Sequence, residues 1–177
     1  DGRTNEYLLV WTTTPWTLAG NVAAAMHPDL KYVKASTADG IYYLSKSAAD
    51  EILGGDHEVV AEISGSELVG LRYRGPWDEL PAQAGIVHKV VPWEEVSADE
   101  GTGIVHIAPG SGADDFELSK EHYLPVVIPI DGEGRYVEGF GPLTGRHVLD
   151  STDFIVQNLE GKDMLFDKGD YTHRYPV

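Results

Sequence analysis

Tyr7-Leu8-Leu9-Val10-Trp11-Thr12-Thr13-Thr14-Pro15-Trp16-Thr17 is the stretch on which the fold turns. Its first five residues form a continuous apolar run, the pattern of a strand covered on both faces. Pro15 disfavours the helical region for Thr14, which places the threonines at or just beyond the strand's end. A second stretch has similar punctuation. Gly101-Thr102-Gly103-Ile104-Val105-His106-Ile107-Ala108-Pro109-Gly110-Ser111-Gly112-Ala113-Asp114-Asp115 reads as glycine turn, strand, glycine turn and helix start. Strand alternation puts Ile104 and His106 on one face, Val105 and Ile107 on the other.

Outward from these two stretches the chain continues rich in strands. Residues 31–35 and 41–44 read as a hairpin around Ala38-Asp39-Gly40. Residues 57–63, 86–91 and 126–130 read as further strands, with edge strands at Tyr136 and 164–166. Residues 21–26 suit either strand or helix and are ended by His27-Pro28-Asp29. Three short helices are expected. The first spans 47–53, capped by Ser47 and closed by Gly54. The second spans 112–122, with acids in its first turn and Lys120 and His122 in its last, in keeping with the helix dipole. The third spans 150–159, capped by Asp150 or Ser151 and stopped by Gly161. Residues 72–84, with Gly75, Pro76 and Pro81, read as a surface loop. No internal repeat or linker divides the chain. The fold class expected is α+β, a strand-rich, β-barrel-like domain with short peripheral helices, one domain over 1–177.

Composition narrows the function. At 177 residues the chain can enclose a core, and its 42% hydrophobic and 24% charged residues are ordinary for a globular protein. No apolar run approaches the length of a membrane span, so no membrane partner is expected and the cytoplasm is the expected location. Without cysteine there is neither a disulfide framework nor a thiolate metal site. Thirteen basic against 29 acidic residues give a formal charge of −16. Such a surface repels a phosphate backbone, which argues against strong sequence-independent nucleic-acid binding by this chain alone. Any nucleic-acid function must then work through a small local pocket. The opening Asp1-Gly2-Arg3 and the closing Tyr175-Pro176-Val177 fit a piece excised from a longer protein.

Three polar stretches sit beside apolar strands. The threonine run has a bland reading, as β-propensity with hydroxyls capping a turn, and a functional one, as hydroxyls that bind a water, a ribose or a carbonyl oxygen. His106 reads either as a hydrogen-bonded wall residue or as part of a site. Asp114 and Asp115 have a complete structural explanation in the helix dipole. The third stretch, Tyr171-Thr172-His173-Arg174-Tyr175-Pro176, is polar and aromatic. Several chemistries drop out. Gly110-Ser111-Gly112 lacks the spacing of a nucleophile elbow, and no phosphate-binding glycine loop is present. A metal site from His106, Asp115 and His122 has no supporting ligand spacing, so no metal is expected.

Taken together, these residues point to a family. Trp11 through Thr17, followed by Gly20-Asn21-Val22-Ala23 and His27-Pro28, resembles the opening of the editing domain in isoleucyl-tRNA synthetases. Residues 101–106, with Ala108-Pro109-Gly110 and Asp114-Asp115, resemble that domain's second motif, and His173 with Tyr175-Pro176 its return toward the synthetase core. Related valine and leucine enzymes typically carry Thr-Thr-Arg-Pro followed by an acid, where this chain has Thr14 and Trp16. Ala19 departs from the proline of many relatives, a change in loop geometry only.

The resemblance implies hydrolytic editing of misacylated valyl-tRNA(Ile), with valyl-adenylate as a further substrate. The partners implied are the tRNA 3′ end, the valine moiety and the rest of the parent synthetase, and no cofactor is implied. It implies that Thr12, Thr13, Thr14 and Asp115 serve catalysis, the threonines by positioning and Asp115 by pairing with the substrate's α-ammonium. Trp16, Thr17, Gly103, Ile104, His106, Pro109 and Tyr171 are the implied substrate-binding residues, with Trp16 and His106 setting a size limit. The rival reading is a non-catalytic module that docks a tRNA 3′ end.

Overall fold

The computed structural model describes residues 5–98 and 100–169. Its strands are β1 (Glu6–Leu8), β2 (Ala23–Met26), β3 (Lys31–Ser36), β4 (Ile41–Ser45), β5 (Glu58–Ser64), β6 (Lys89–Pro92) and β7 (Ile104–Ile107). They form two sheets, one in the order β1-β4-β3-β5 and one in the order β6-β2-β7. The helices are α1 (Ala49–Leu53), α2 (Gly65–Leu68), α3 (Ala113–His122) and α4 (Thr152–Gly161). The class is α+β, but the sheets do not close into a barrel. The strands are short and neither sheet returns on itself: β1 and β5 bound one, β6 and β7 the other, and isolated bridges from Arg72 to Lys89 and from Trp11 to Val105 add no closing strand.

The three-stranded sheet is the middle layer, and β2 is its centre. All four residues of β2 are buried, and they alternate in what they touch. Ala23 and Ala25 pack with Val91, Ile107 and Leu118 of α3. Ala24 and Met26 pack with Tyr32, Tyr43, Val90 and Ile104, which joins this sheet to the four-stranded one. Alanine favours helices in isolation, but here its small side chain lets two layers close on both faces of one strand. Tertiary packing thus resolves the strand-or-helix ambiguity of 21–26.

The hairpin is present, with Tyr32 opposite Ser45 and Ser36 opposite Ile41. α3 matches its expected span, and Tyr123 ends it in the left-handed conformation with φ 53°. Elsewhere local chemistry shifts the boundaries. Ser47 does not cap α1: its hydroxyl donates to Ala98 O, and a 3-10 turn, Lys46–Ala48, leads into the helix. Ser151 precedes α4, but its hydroxyl turns back to donate to Val148 O, and Gly161 lies inside the helix rather than beyond it. α2, which the periodicity does not reveal, opens with a capping box in which Ser64 and Glu67 satisfy each other's backbone N–H groups.

Three expectations fail for physical reasons. Residues 126–130 form no strand, because Pro125 and Pro129 remove ladder donors, and only an isolated bridge joins Ile130 to Tyr136. Tyr136 therefore contributes that bridge and not an edge strand, and residues 164–166 form no strand either. The loop 72–84 is not a surface feature throughout. Trp77 and Leu80 sit in a core cluster with Tyr136, Phe140 and Leu143. Lys162 straps the loop down from outside, donating to Pro76 O and lying 4.1 Å from the Trp77 ring centre. Among the described residues, no helix is long and apolar enough to cross a membrane.

Candidate active site

After Leu8 the chain leaves the four-stranded sheet but stays extended. Leu9 N donates to Tyr43 O, and Trp11 then forms a parallel bridge with Val105 of β7. Strand β1 is thus shorter than the apolar run, and half-buried at a sheet edge instead of covered on both faces. The consequence for the site is direct. Trp11 is the last residue tied to β7, so Thr12, Thr13 and Thr14 are delivered beside His106. A 3-10 turn, Pro15–Gly20, follows and carries Trp16 and Thr17.

The two polar stretches meet in a cleft of about 450 Å3. Thr12, Thr13, Thr14, Trp16 and Thr17 line it from the first stretch, Ile104, His106, Ser111 and Asp115 from the second, and Trp93, Glu95 and Glu100 complete the lining. Within the threonine run, Thr14 N donates to Thr12 Oγ1 at 3.0 Å, so Thr12 holds the turn. Thr13 is exposed.

Thr17 links the stretches. Its Oγ1 lies 2.8 Å from Thr14 O and 2.9 Å from His106 Nε2. A carbonyl only accepts, so the Thr17 hydroxyl gives its single proton to Thr14, and His106 must donate to it through Nε2–H. That assigns the neutral tautomer with a bare Nδ1. Burial supports it, holding the His106 pKa down at about 4. His106 Nδ1 is a buried atom without a hydrogen-bond partner.

Asp115 sits in the first turn of α3. Its Oδ2 accepts the Ala108 N–H at 2.7 Å. Burial pushes its carboxyl above the ordinary carboxylate range, the Ala108 bond opposes that rise, and the neighbouring Asp114 adds to it. The turn between Ala108 and α3 is held at both ends, since Ser111 N and Gly112 N both donate to Ala108 O. Gly110 permits it: a Cβ there would lie 1.9 Å from Val127 O. The Ser111 hydroxyl is also buried and without a partner.

Two of the expected site residues lie elsewhere. Gly103 has φ +69° and abuts Ser45, and its carbonyl accepts the Tyr32 hydroxyl at 2.8 Å, which makes it a joint between the sheets. Pro109 is buried and does not line the cleft. Tyr171 and His173 lie outside the described residues. His122 also lies apart, its Nε2 3.1 Å from Pro92 O. Among the described residues, no three His, Asp or Glu side chains are grouped to hold a metal ion. The sequence gives Ser111 only as a failed nucleophile elbow, and it carries no local signal for Trp93, Glu95 and Glu100.

A larger groove of about 820 Å3 lies on the other side of Trp93, lined by Glu94, Asp114, Glu117 and Glu121. It has no hydroxyl cluster and no buried acceptor comparable to His106.

No family model matches the chain. Individual proteins do. It is 41% identical over 172 residues to an isoleucine–tRNA ligase of Methanothermobacter thermautotrophicus, covering 97% of this chain and 16% of that protein. It is 44% identical over 183 residues to an isoleucine–tRNA ligase of Archaeoglobus fulgidus, covering 98% of this chain and 18% of that protein. The chain therefore spans less than a fifth of these relatives. In fold it is similar to the crystal structure of GlLeuRS-CP1, with a TM-score of 0.70 at 18% identity over 93% of this chain and 85% of that one. The P. knowlesi cytosolic leucyl-tRNA synthetase editing domain gives a TM-score of 0.67 at 14% identity, over 90% and 82%.

Proposed function

The chain belongs to the isoleucyl-tRNA synthetase family, where it is the CP1 editing domain, and from that premise we propose that its cleft hydrolyses the ester of valine wrongly attached to isoleucine tRNA. The observation that carries the reading is the meeting of Thr12–Thr14, His106 and Asp115 in one cleft, built from stretches 89 residues apart.

The chemistry calls for such a site. A pocket shaped for isoleucine rejects the smaller valine only weakly, and this pair is itself the standard example of that limit. A second site must then admit valine and exclude isoleucine by bulk. On this reading the wall is His106, whose ring is pinned by Thr17, together with Trp16 of the same lining. The aminoacyl ester carries a cation beside its scissile carbonyl, and Asp115 is the anionic partner that the cleft offers it. Thr12, Thr13 and Thr14 position the terminal adenosine, the carbonyl and the attacking water. No threonine hydroxyl is acidic enough to serve as base unaided, so the rate comes from positioning, with the substrate's own ribose hydroxyl assisting. Valyl-adenylate presents the same valyl group and is a further substrate on this reading. The tRNA is held by the remainder of the synthetase in the cytoplasm, because a chain of charge −16 does not hold a phosphate backbone by itself.

The test is ester hydrolysis by the chain, and by the full-length synthetase, on valyl- and isoleucyl-charged isoleucine tRNA. Selective release of valine is expected. Equal release of both amino acids, or none from the full-length enzyme, overturns the proposal.

A further inference from the structure

In a chain with 29 acidic and 13 basic residues, three of the basic ones stand together on one face. Arg72 and Lys89 lie opposite one another in an isolated antiparallel bridge beside β6. Val90 N donates to Leu71 O at 2.9 Å and Tyr73 N to His88 O at 3.3 Å, so residues 71–73 run along β6 as a short ribbon. Residues directly opposite in such a ribbon point to the same side. The neighbours fix which side. Leu71, Tyr73 and Val90 pack into the cluster that joins the two sheets, whereas Val91, two residues on from Lys89, packs with Leu118 of α3. Arg72 and Lys89 therefore share the α3 face, and alternation carries Arg74 to it as well.

Both arginines are exposed, and neither side chain makes a hydrogen bond or ion pair among the described residues. Lys89 Nζ lies 3.5 Å from His122 O at the end of α3, and an ammonium keeps further donors beyond that one. Elsewhere the chain neutralises its cations: Lys34, Lys46, Lys120, Lys162 and Lys168 each pair with a glutamate. Like charges directly opposite across a ribbon are destabilising, and here the abundant carboxylates leave them unrelieved. An anion that the fold does not itself contain is the partner such a face suits. Guanidinium forks match phosphate oxygens in particular.

The patch also stands in a fixed relation to the cleft. α3 meets Lys89 at His122 and lines the cleft at Asp115, a step of roughly 10 Å along the helix. Stacked nucleotides follow one another at about 3.4 Å, which puts the patch a few nucleotides back from a terminal adenosine in the cleft. The groove that bears Glu94, Glu117 and Glu121 repels the same backbone and leaves the cationic face to receive it.

We infer that Arg72, Arg74 and Lys89 form a rest for the phosphate backbone of tRNA next to its aminoacylated end, an inference that takes its partner from the editing reading. A charge of −16 keeps the chain from capturing tRNA alone, so the rest guides a strand that the remainder of the synthetase already holds.

The probe is isoleucine tRNA carrying valine through an amide, which resists hydrolysis, beside adenosine that carries valine in the same way and has no phosphate. Binding to the full-length synthetase is measured over a salt series, for wild type and for the double variant Arg72→Gln, Arg74→Gln. The variant is expected to bind the tRNA about tenfold more weakly at low salt. Its plot of log Kd against log salt concentration should be shallower by about two, one for each arginine. Binding of the phosphate-free compound is expected to stay unchanged. Arg72→Glu is expected to weaken tRNA binding too, while holding or raising the chain's melting temperature, because it sets an opposite charge across from Lys89. An unchanged salt slope, equal weakening for both compounds, or a lowered melting temperature of the chain in either variant overturns the rest. So does a lowered melting temperature of the full-length double variant without tRNA, which would assign the arginines to an acidic segment of the synthetase itself. Hydrolysis of valyl-tRNA by the wild-type enzyme, measured alongside, decides the editing reading separately. A flattened slope without hydrolysis removes only the editing reaction; hydrolysis with an unchanged slope removes only the rest.

Discussion

The Thr17 hydroxyl lies 2.9 Å from His106 Nε2 while giving its own proton to Thr14 O, so one side chain both ends the threonine turn and fixes the imidazole opposite. Thr17→Val keeps the shape and removes both bonds. It leaves the His106 N–H unpaired in a partly buried site, at a cost of about 1–3 kcal/mol by chemical denaturation. The ring then loses its fixed tautomer, which nitrogen-15 chemical shifts of His106 report. A loosened wall also admits the larger amino acid, so isoleucyl ester hydrolysis should appear. Unchanged shifts and unchanged selectivity would remove Thr17 from the wall.

His106→Ala tests the wall more severely. Removing the ring enlarges the cleft beside Ile104, and isoleucyl-tRNA is expected to become a substrate while valyl-tRNA remains one. Continued rejection of isoleucine would place the size limit elsewhere, with Trp16 the next candidate.

Asp115 has two tasks that one substitution separates. Asp115→Asn retains an oxygen for the Ala108 N–H, so the turn into α3 is kept and stability should change by less than about 1 kcal/mol. The charge is gone, and hydrolysis of the valyl ester should fall by a factor of about a hundred or more. Asp115→Ala should lose the activity and also destabilise the fold by about 1–3 kcal/mol, because the Ala108 N–H is left bare. Full turnover in the Asn variant would exclude the anchoring role.

Gly110 offers a test of the scaffold independent of chemistry. A Cβ there would lie 1.9 Å from the Val127 carbonyl oxygen, a backbone atom that cannot rotate aside. Gly110→Ala is expected to destabilise the chain by roughly 3 kcal/mol or more, because the turn bearing Ser111 and Asp115 must move. Thermal unfolding measures it, and a loss below 1 kcal/mol would mean that the turn is softer than its packing implies.

Much of this architecture can be read from the chain. The hairpin around Asp39 and the span of α3 follow from alternation, turn residues and terminal charges, all local signals. What is hidden depends on partners distant in sequence. Nothing near Trp77 says that Lys162 will cover it, and nothing in three consecutive alanines says that a layer lies on each face of β2. The prolines at 125 and 129 were visible, and they outweigh the apolar run between them. At the site, the threonines, His106 and Asp115 are legible as two motifs, and the bridge from Trp11 to Val105 explains why two motifs make one cleft. Gly103 shows the converse. Its place in a motif reflects a left-handed φ and contact with Ser45, not contact with the cleft.

The half-buried imidazole also writes itself into the acid limb of stability. His106 is held at a pKa of about 4 by desolvation, below its ordinary 6.5. Between these values the unfolded chain binds a proton that the folded chain refuses, so stability is fully present above pH 6.5 and is lost as pH falls through 4. At about 1.4 kcal/mol per unit, the loss attributable to this ring is on the order of 3 kcal/mol. Asp115 works in the opposite sense: its raised carboxyl favours the folded state at low pH and loses that contribution as pH climbs through the folded value. Burial lowers His88 too, against the pull of Asp78, and it adds to the acid loss in the same direction as His106. Both remain when His106 is replaced, so the difference between wild type and His106→Ala isolates the one ring. Denaturant titrations across this range should show the variant losing markedly less stability on acidification. Parallel curves would mean that the ring titrates in the fold as it does in the unfolded chain, and that burial does not hold it neutral.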